Sequence, residues 1–158
     1  MSISRFSSSL HTATFALCRL LDNLVQKLRL PLLKKLSLVL VRMSQASLHS
    51  IIHSSCPALE WLLLVFSMKI RCLRIKWPNL ASLGISFDGE ELIIEDAPSL
   101  QRLILDSCYS PSRITVISAP KLETLGVIRD LCDDFKLVFG STVIQVLYII
   151  IYTFVIIS

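Results

Sequence analysis

The chain has 158 residues, of which 53% are hydrophobic and 18% charged, and its formal net charge is +4. Typical soluble domains carry about 25% charged residues, so this chain has ample material for one core and too little charge for intrinsic disorder. Its four glycines and six prolines exclude a flexible linker and a collagen-like chain.

The N-terminal stretch "MSISRFSSSLHTATFALCR" is rich in serine and has no acidic residue before Asp22. This composition is similar to that of an organellar transit peptide. Its apolar core, "ATFALC", is too short for a secretory signal. The alternation in "LHTATFAL" favours a different interpretation, in which this stretch is the first strand of a repeat array.

One short frame occurs five times along the chain: a proline, any residue, a leucine, two residues, a leucine, one residue and an aliphatic residue. Successive copies are 26, 21, 20 and 22 residues apart, and their prolines are Pro31, Pro57, Pro78, Pro98 and Pro120. A period of about 20 to 29 residues is typical of leucine-rich repeats. The alternating leucines predict strands, and the proline, which cannot donate to a ladder, predicts a corner before each strand.

A second series of apolar triplets lies between the copies: "LRL" at Leu28, "LRI" at Leu73, "LII" at Leu92 and "ITV" at Ile114. From Leu62 onward, successive strands of the two series start 9 to 11 residues apart, which leaves room for a strand and a corner but not for a long helix. We therefore expect strands on both sides of each repeat. Residues 46–55, "ASLHSIIHSS", are the exception, because their apolar residues have helical spacing.

Five stretches carry a family resemblance: "LHTATFALCRL", "KLRLPLLKKLSLV", "LHSIIHSSCPALEWLLL", "ELIIEDAPSLQRLILDSC" and "RITVISAPKLETLGVI". They resemble the leucine-rich repeat region of plant F-box proteins of the FBD type, over about residues 10–145. Leu103, Leu105 and Cys108 match the family's Leu-x-Leu-x-x-Cys frame. The resemblance implies a β-rich α/β leucine-rich repeat solenoid, horseshoe-like, right-handed, with about five or six coils and few helices.

The same resemblance implies a function, since such repeats select proteins for a cullin-type ubiquitin ligase while the F-box docks on the Skp adaptor. No F-box is recognisable here, so we expect no binding of the Skp adaptor by this chain alone. We assign residues 1–145 to the leucine-rich repeat domain, interpreted as truncated at both ends. Residues 146–158 form a hydrophobic C-terminal tail.

That tail leaves two interpretations open. Residues 137–157 contain no charge and would be long enough, as a helix, to span the roughly 30 Å of a bilayer. Their β-branched and aromatic residues favour a strand-forming, aggregation-prone end instead.

The five cysteines form no C-x-x-C pair, and no Asn-x-Ser/Thr acceptor is present. Both observations favour a cytoplasmic or nuclear protein, with membrane attachment through the tail as the alternative.

The sequence contains few motifs that are typical of catalytic sites. No glycine-rich phosphate motif and no nucleophile elbow occur, so we expect neither an enzyme nor a cofactor. His49, His53 and Cys56 have a ligand-like spacing but lack a fourth ligand, so we expect no metal. In "KIRCLRIKW" the apolar residues keep the period of a buried face, so we do not expect nucleic acid as a partner.

The function expected is therefore protein binding, by the strand residues that point away from the core. Because the two leucines of each strand point inward, the residues between and beside them face outward on the concave side. These candidates are Trp61, Leu63, Val65, Ser82, Arg102, Ile104, Asp106 and Thr124. A tryptophan near an arginine is typical of an interface hot spot. The alternatives are a non-functional fragment, a tail-anchored repeat protein, or a repeat array in which a neighbouring coil covers Trp61.

Overall fold

The structure is a computed structural model that describes residues 8–105, 113–127, 136–140, 142–145 and 154–156. Within these residues it is rich in strands and has two short α-helices. The strands are β1 (Thr12–Ala16), β2 (Lys35–Val39), β3 (Trp61–Lys76), β4 (Ser82–Asp96), β5 (Arg102–Leu105), β6 (Arg113–Val116), β7 (Thr124–Val127), β8 (Lys136–Phe139), β9 (Thr142–Gln145) and β10 (Phe154–Ile156). The helices are α1 (Asp22–Val25) and α2 (Gln45–Ser50).

A first column of parallel strands contains all five copies of the proline-leucine frame. It runs from β1 through β2, the first halves of β3 and β4, and β5 to β7. Each strand pairs with the next in the same register, so that the first residues of the strands form one row: Thr12, Lys35, Trp61, Ser82, Arg102 and Thr124. At the end of the column, β10 pairs with β7 in the antiparallel direction.

A second column of parallel strands consists of the second halves of β3 and β4, followed by β6 and β8. Strand β9 covers its end in the antiparallel direction. Strands β3 and β4, of 16 and 15 residues, run through both columns. The triplets "LRI" and "LII" are thus the second halves of long strands. This strand-rich, parallel architecture fits the leucine-rich repeat class expected from the sequence.

The prolines lie in tight turns before β2, β3, β4, β5 and β7 of the first column, as predicted. In the copies at Pro57 and Pro98, the N–H of Leu59 and Leu100 donates to the carbonyl three residues earlier, at 3.2 and 3.0 Å. Proline therefore occupies the second turn position, where its fixed φ is favourable and its missing N–H costs nothing. The two N–H groups that follow the turn donate to one carbonyl of the preceding repeat: Glu60 and Trp61 both donate to the carbonyl of Lys34. The turns therefore help to hold neighbouring strands in register.

The inward side chains of the two columns form a single hydrophobic core. Both leucines of each copy are buried, and the inward residues of the second column are as well: Leu73, Ile75, Leu92, Ile94, Ile114, Val116 and Leu137. Each fully buried side chain of this size contributes roughly 1.5–3 kcal/mol relative to an exposed one. Burial on both columns therefore stabilises the array along its whole described length.

Helices replace second-column strands in the first two repeats. The helix predicted within residues 46–55 is present as α2, which continues as a π-helical turn over Ile51–Ser55. The strand expected at Leu28 was wrong: the chain there follows α1 and has no strand. Its last residue, Leu30, is used by the proline turn, where it donates to the Ser55 carbonyl and accepts from the N–H of Leu33.

The charge-free C-terminal stretch contains strands in its described parts, namely β8, β9 and β10. A continuous helix from Leu137 is therefore not what this stretch forms. In the described parts of the chain, no helix has the length and apolar character needed to cross a membrane.

Candidate functional site: the outer face of the first strand column

The outer face of the first strand column consists of the strand residues whose neighbours along each strand are buried in the core. In the row that contains Lys35, the side chains of Lys35 and Arg102 are exposed, while those of Trp61, Ser82 and Thr124 are partly exposed. Five consecutive repeats thus present one residue each to the same surface. The tryptophan lies between a lysine on one side and a serine on the other.

The next outward row contains one serine, two aliphatic residues and two glycines: Ser37, Leu63, Gly84, Ile104 and Gly126. A Cβ atom built on Gly84 would lie 2.8 Å from Cδ1 of Leu63, so the Leu63 side chain leans into the space above this glycine. Leu63 and Ile104 are both partly exposed. The row therefore forms a shallow apolar surface directly beside Trp61 and Ser82.

A third outward row contains Val39, Val65 and Ser86. Val65 is partly exposed, whereas Ser86 is 2% exposed and its hydroxyl has no hydrogen-bond partner among the described residues. The structure thus brings the candidate residues of the sequence together on one face. Asp106 is the exception, since it lies outside the described residues.

The charge of this face is positive. Lys34 and Glu60, at its edge, form an ion pair at 3.0 Å with both side chains about half exposed, which contributes at most about 1 kcal/mol. Lys35 and Arg102 have no ion pair within the described ranges. The outward rows contain no acidic residue in the part of the chain described.

The residues with ligand-like spacing do not form a site. The rings of His49 and His53 stack with centroids 6.0 Å apart, while Cys56 is fully buried. Burial raises the pKa of the Cys56 thiol to about 12, which keeps it protonated and unsuited to bind a metal. Across the described ranges, no group of three His, Cys, Asp or Glu side chains is arranged to hold a metal ion.

The basic run and the acidic clusters neutralise each other across the second column. Arg74 donates to Glu95, which raises the pKa of the arginine, and Arg71 lies 3.6 Å from Glu90. Trp77 is 3% exposed, so it cannot stack a nucleobase. The surface of the second column therefore offers a balanced set of charges.

One pocket was not anticipated from the sequence. It has a volume of about 390 Å³ and is lined by Arg19, Leu20, Leu21, Asp22, Arg42, Met43 and Ser44. The Asp22 carboxylate accepts hydrogen bonds from the hydroxyls of Ser44 and Ser47, at 2.6 and 2.5 Å, and these bonds lower its pKa. Only the folded arrangement of α1 against α2 brings these groups together, and no spacing in the sequence indicates it.

The chain matches a known family. A family model described as "FBD-associated F-box protein At5g56370, LRR repeats" matches residues 1–157. The match extends past Gln145, where the resemblance was expected to stop, into the segment assigned to the tail. No curated protein and no solved structure matches the chain.

Proposed function

The chain belongs to the family of leucine-rich repeats of FBD-associated F-box proteins, and from this premise we propose that it binds a protein partner through the outer face of its first strand column. Leucine-rich repeats stack into extended surfaces that serve protein recognition. Neither catalysis nor a cofactor is part of the proposal. Its proposed location is the cytoplasm or the nucleus.

We also propose that the strands which form this surface belong to a leucine-rich repeat solenoid. The described strands are compatible with six stacked coils of a right-handed solenoid, each contributing one strand to the first column. Two features support this: each repeat pairs in parallel with the next, and the register is the same throughout the column. Parallel connections within one sheet are almost always right-handed.

The observation that carries the proposal is the group of partly exposed apolar side chains on this face. Trp61 and Leu63 of β3 and Ile104 of β5 are partly exposed on either side of β4, and Arg102 lies in the same row as the tryptophan. Tryptophan and arginine are enriched at interface hot spots, where a few side chains provide most of the binding free energy. A partner that covers these side chains would remove their remaining apolar area from water.

Alanine substitutions test which face binds. We expect Trp61→Ala and Arg102→Ala each to weaken binding of a protein partner by more than about 1 kcal/mol, because both residues lie at the centre of the proposed interface. Lys76→Ala is the matched control, since Lys76 is an exposed cation at the end of the second column. Titration calorimetry gives the three affinities, with a partner that is first identified by crosslinking to the intact chain and then purified separately without the crosslink. Equal losses in all three variants would mean that the binding face is elsewhere.

A second part of the proposal concerns the ubiquitin ligase. We propose that these repeats act like the substrate-recognition arm of an F-box receptor and do not themselves contact the Skp adaptor. The described residues contain two short helices, α1 and α2, and both pack within the repeats. A pull-down with purified Skp adaptor should therefore recover no more of this chain than beads alone. Stoichiometric recovery would contradict this assignment.

A further inference from the structure

The arrangement of charge on the outer face points to the chemistry of the partner. Resting on the proposed function, we infer that this face binds an extended peptide segment with two acidic side chains four residues apart and an apolar side chain midway between them. Two cations, Lys35 and Arg102, and the apolar surface of Trp61 and Leu63 between them define the three positions.

The two cations supply the electrostatic part. Lys35 and Arg102 are exposed, belong to the same row, and have no ion pair in the described ranges. The two residues between them in that row, Trp61 and Ser82, are uncharged. A partner with carboxylates at the matching distance would compensate both cations, and complementary charge gives an interface its specificity and its association rate.

The distance between the cations sets the spacing in the partner. Lys35 and Arg102 are separated by three strand-to-strand steps of about 4.8 Å, hence by about 14 Å. An extended chain that crosses the strands rises about 3.3 Å per residue, so residues i and i+4 are about 13 Å apart and point to the same side. Carboxylates at i and i+4 therefore reach Lys35 and Arg102 together.

The apolar position lies between the cations. The midpoint of the row falls between Trp61 and Ser82, and Leu63 of the neighbouring row leans over Gly84 beside them. Trp61 and Leu63 are both partly exposed, so they present apolar surface at this point. Residue i+2 of the extended segment points to the face like residues i and i+4, and an apolar side chain there would pack against Trp61 and Leu63.

Selection from a library of random twelve-residue peptides, displayed on phage and offered to the intact folded chain, tests the inference. We expect enrichment of acidic-x-apolar-x-acidic sequences at about 0.05 M salt. Affinity of a selected peptide should fall at least tenfold in Arg102→Glu, as an attraction becomes a repulsion. A repeated selection on Arg102→Glu should replace one acidic position by lysine or arginine. Lys76→Glu is the control and should change neither result.

The outcomes separate the inference from the proposed function. Peptides whose binding is lost in Trp61→Ala but which show no acidic pair would overturn the inference and leave the binding face intact. Peptides that bind equally well to Trp61→Ala and Arg102→Glu would overturn both. If the selection yields no binding peptide, the inference is also wrong, because the face would then lack affinity for extended segments. Circular dichroism of each variant verifies that the surface substitutions leave the fold unchanged.

Discussion

Leu17 and Leu40 follow β1 and β2 directly, and both have left-handed backbone, with φ of 50° and 51°. Their N–H groups donate to Val39 and Val65 of the following strands. The repeat of this conformation in two neighbouring coils shows that the chain must turn sharply where it leaves the first column. Leucine is poorly suited to it, since its Cβ contacts the backbone at a cost of roughly 1–2 kcal/mol.

Substitution of Leu40 tests this strain. We expect Leu40→Asn to stabilise the chain by up to about 1 kcal/mol, because asparagine tolerates the left-handed region better and the leucine side chain is already 41% exposed. The measurement is the midpoint of urea unfolding at unchanged slope. Ile117→Asn is the control: Ile117 is 60% exposed and has no positive φ, so it should show no gain. A loss of stability in Leu40→Asn would contradict this, because it would show that packing of the Leu40 side chain stabilises the fold more than the backbone strain destabilises it.

The elements α1 and α2 are joined through one carboxylate. Ser44 caps α2 by accepting the N–H of Ser47, and both hydroxyls donate to Asp22 of α1. The hydrogen bonds from Ser44 and Ser47 lower the pKa of Asp22. This contact fixes α1, a helix of only four residues that could not form alone, against the next repeat.

The contact predicts a pH dependence. Because the pKa of Asp22 is lower in the folded chain than its usual value of about 3.9, the unfolded chain binds more protons between these two values. The stabilisation by Asp22 is therefore present above about pH 4 and is lost as the pH falls through the folded pKa. We expect Asp22→Asn to flatten the stability profile in this range, as measured by urea unfolding at several pH values. Glu123→Gln, which removes another exposed carboxylate, should not reproduce this flattening.

At the scale of elements, the proline turns, the strands of the first column and α2 were predictable, because a fixed period and alternating leucines leave one register for each strand. Two features were not. The "LRL" at Leu28 has the alternation of a strand, but the adjacent Pro31 draws Leu30 into a turn. The antiparallel direction of β9 and β10 was also missed, since alternation indicates a strand but not its direction.

The candidate site was predictable to a similar degree. Its residues share a face because the repeats stack in register, which the equal spacing of the copies implied. Their accessibility depends on neighbours that the repeat pattern does not identify. Ser86 belongs to the outward row of Val65 and yet is buried, and the Leu63 side chain leans over Gly84 and fills the space above it. Both are consequences of packing between repeats.

For the whole molecule, the C-terminal segment has two opposing effects on aggregation. Strand β10 covers the outer edge of β7, and an uncovered edge promotes pairing with other chains. The segment beyond Gln145 is also almost entirely apolar, in the sequence "VLYIIIYTFVIIS". Because β7 has only four residues, its uncovered edge would add little to the tendency to aggregate. The long apolar sequence is the larger aggregation hazard.

We therefore expect deletion of residues 146–158 to raise the soluble yield while the circular dichroism of the repeats stays the same. Hydrogen exchange should become faster at the β7 amides that face β10, because these lose their partner. A lower soluble yield would show that edge protection outweighs the apolar content of the tail. If the intact chain resists carbonate extraction from membranes and the deletion abolishes this, the segment is a membrane anchor instead.

The constant register of the first column has a consequence for the gene. Ser82 and Arg102 occupy the same row, so loss of residues 82–101 would join Ala81 to Arg102 and place the latter beside Trp61, as Ser82 is now. An in-frame deletion or duplication of one such segment leaves every remaining row matched. Unequal crossing-over can therefore lengthen or shorten the array by whole coils without disturbing the core. Each event changes the order of outward side chains, so recombination alone can generate new recognition surfaces from inherited repeats.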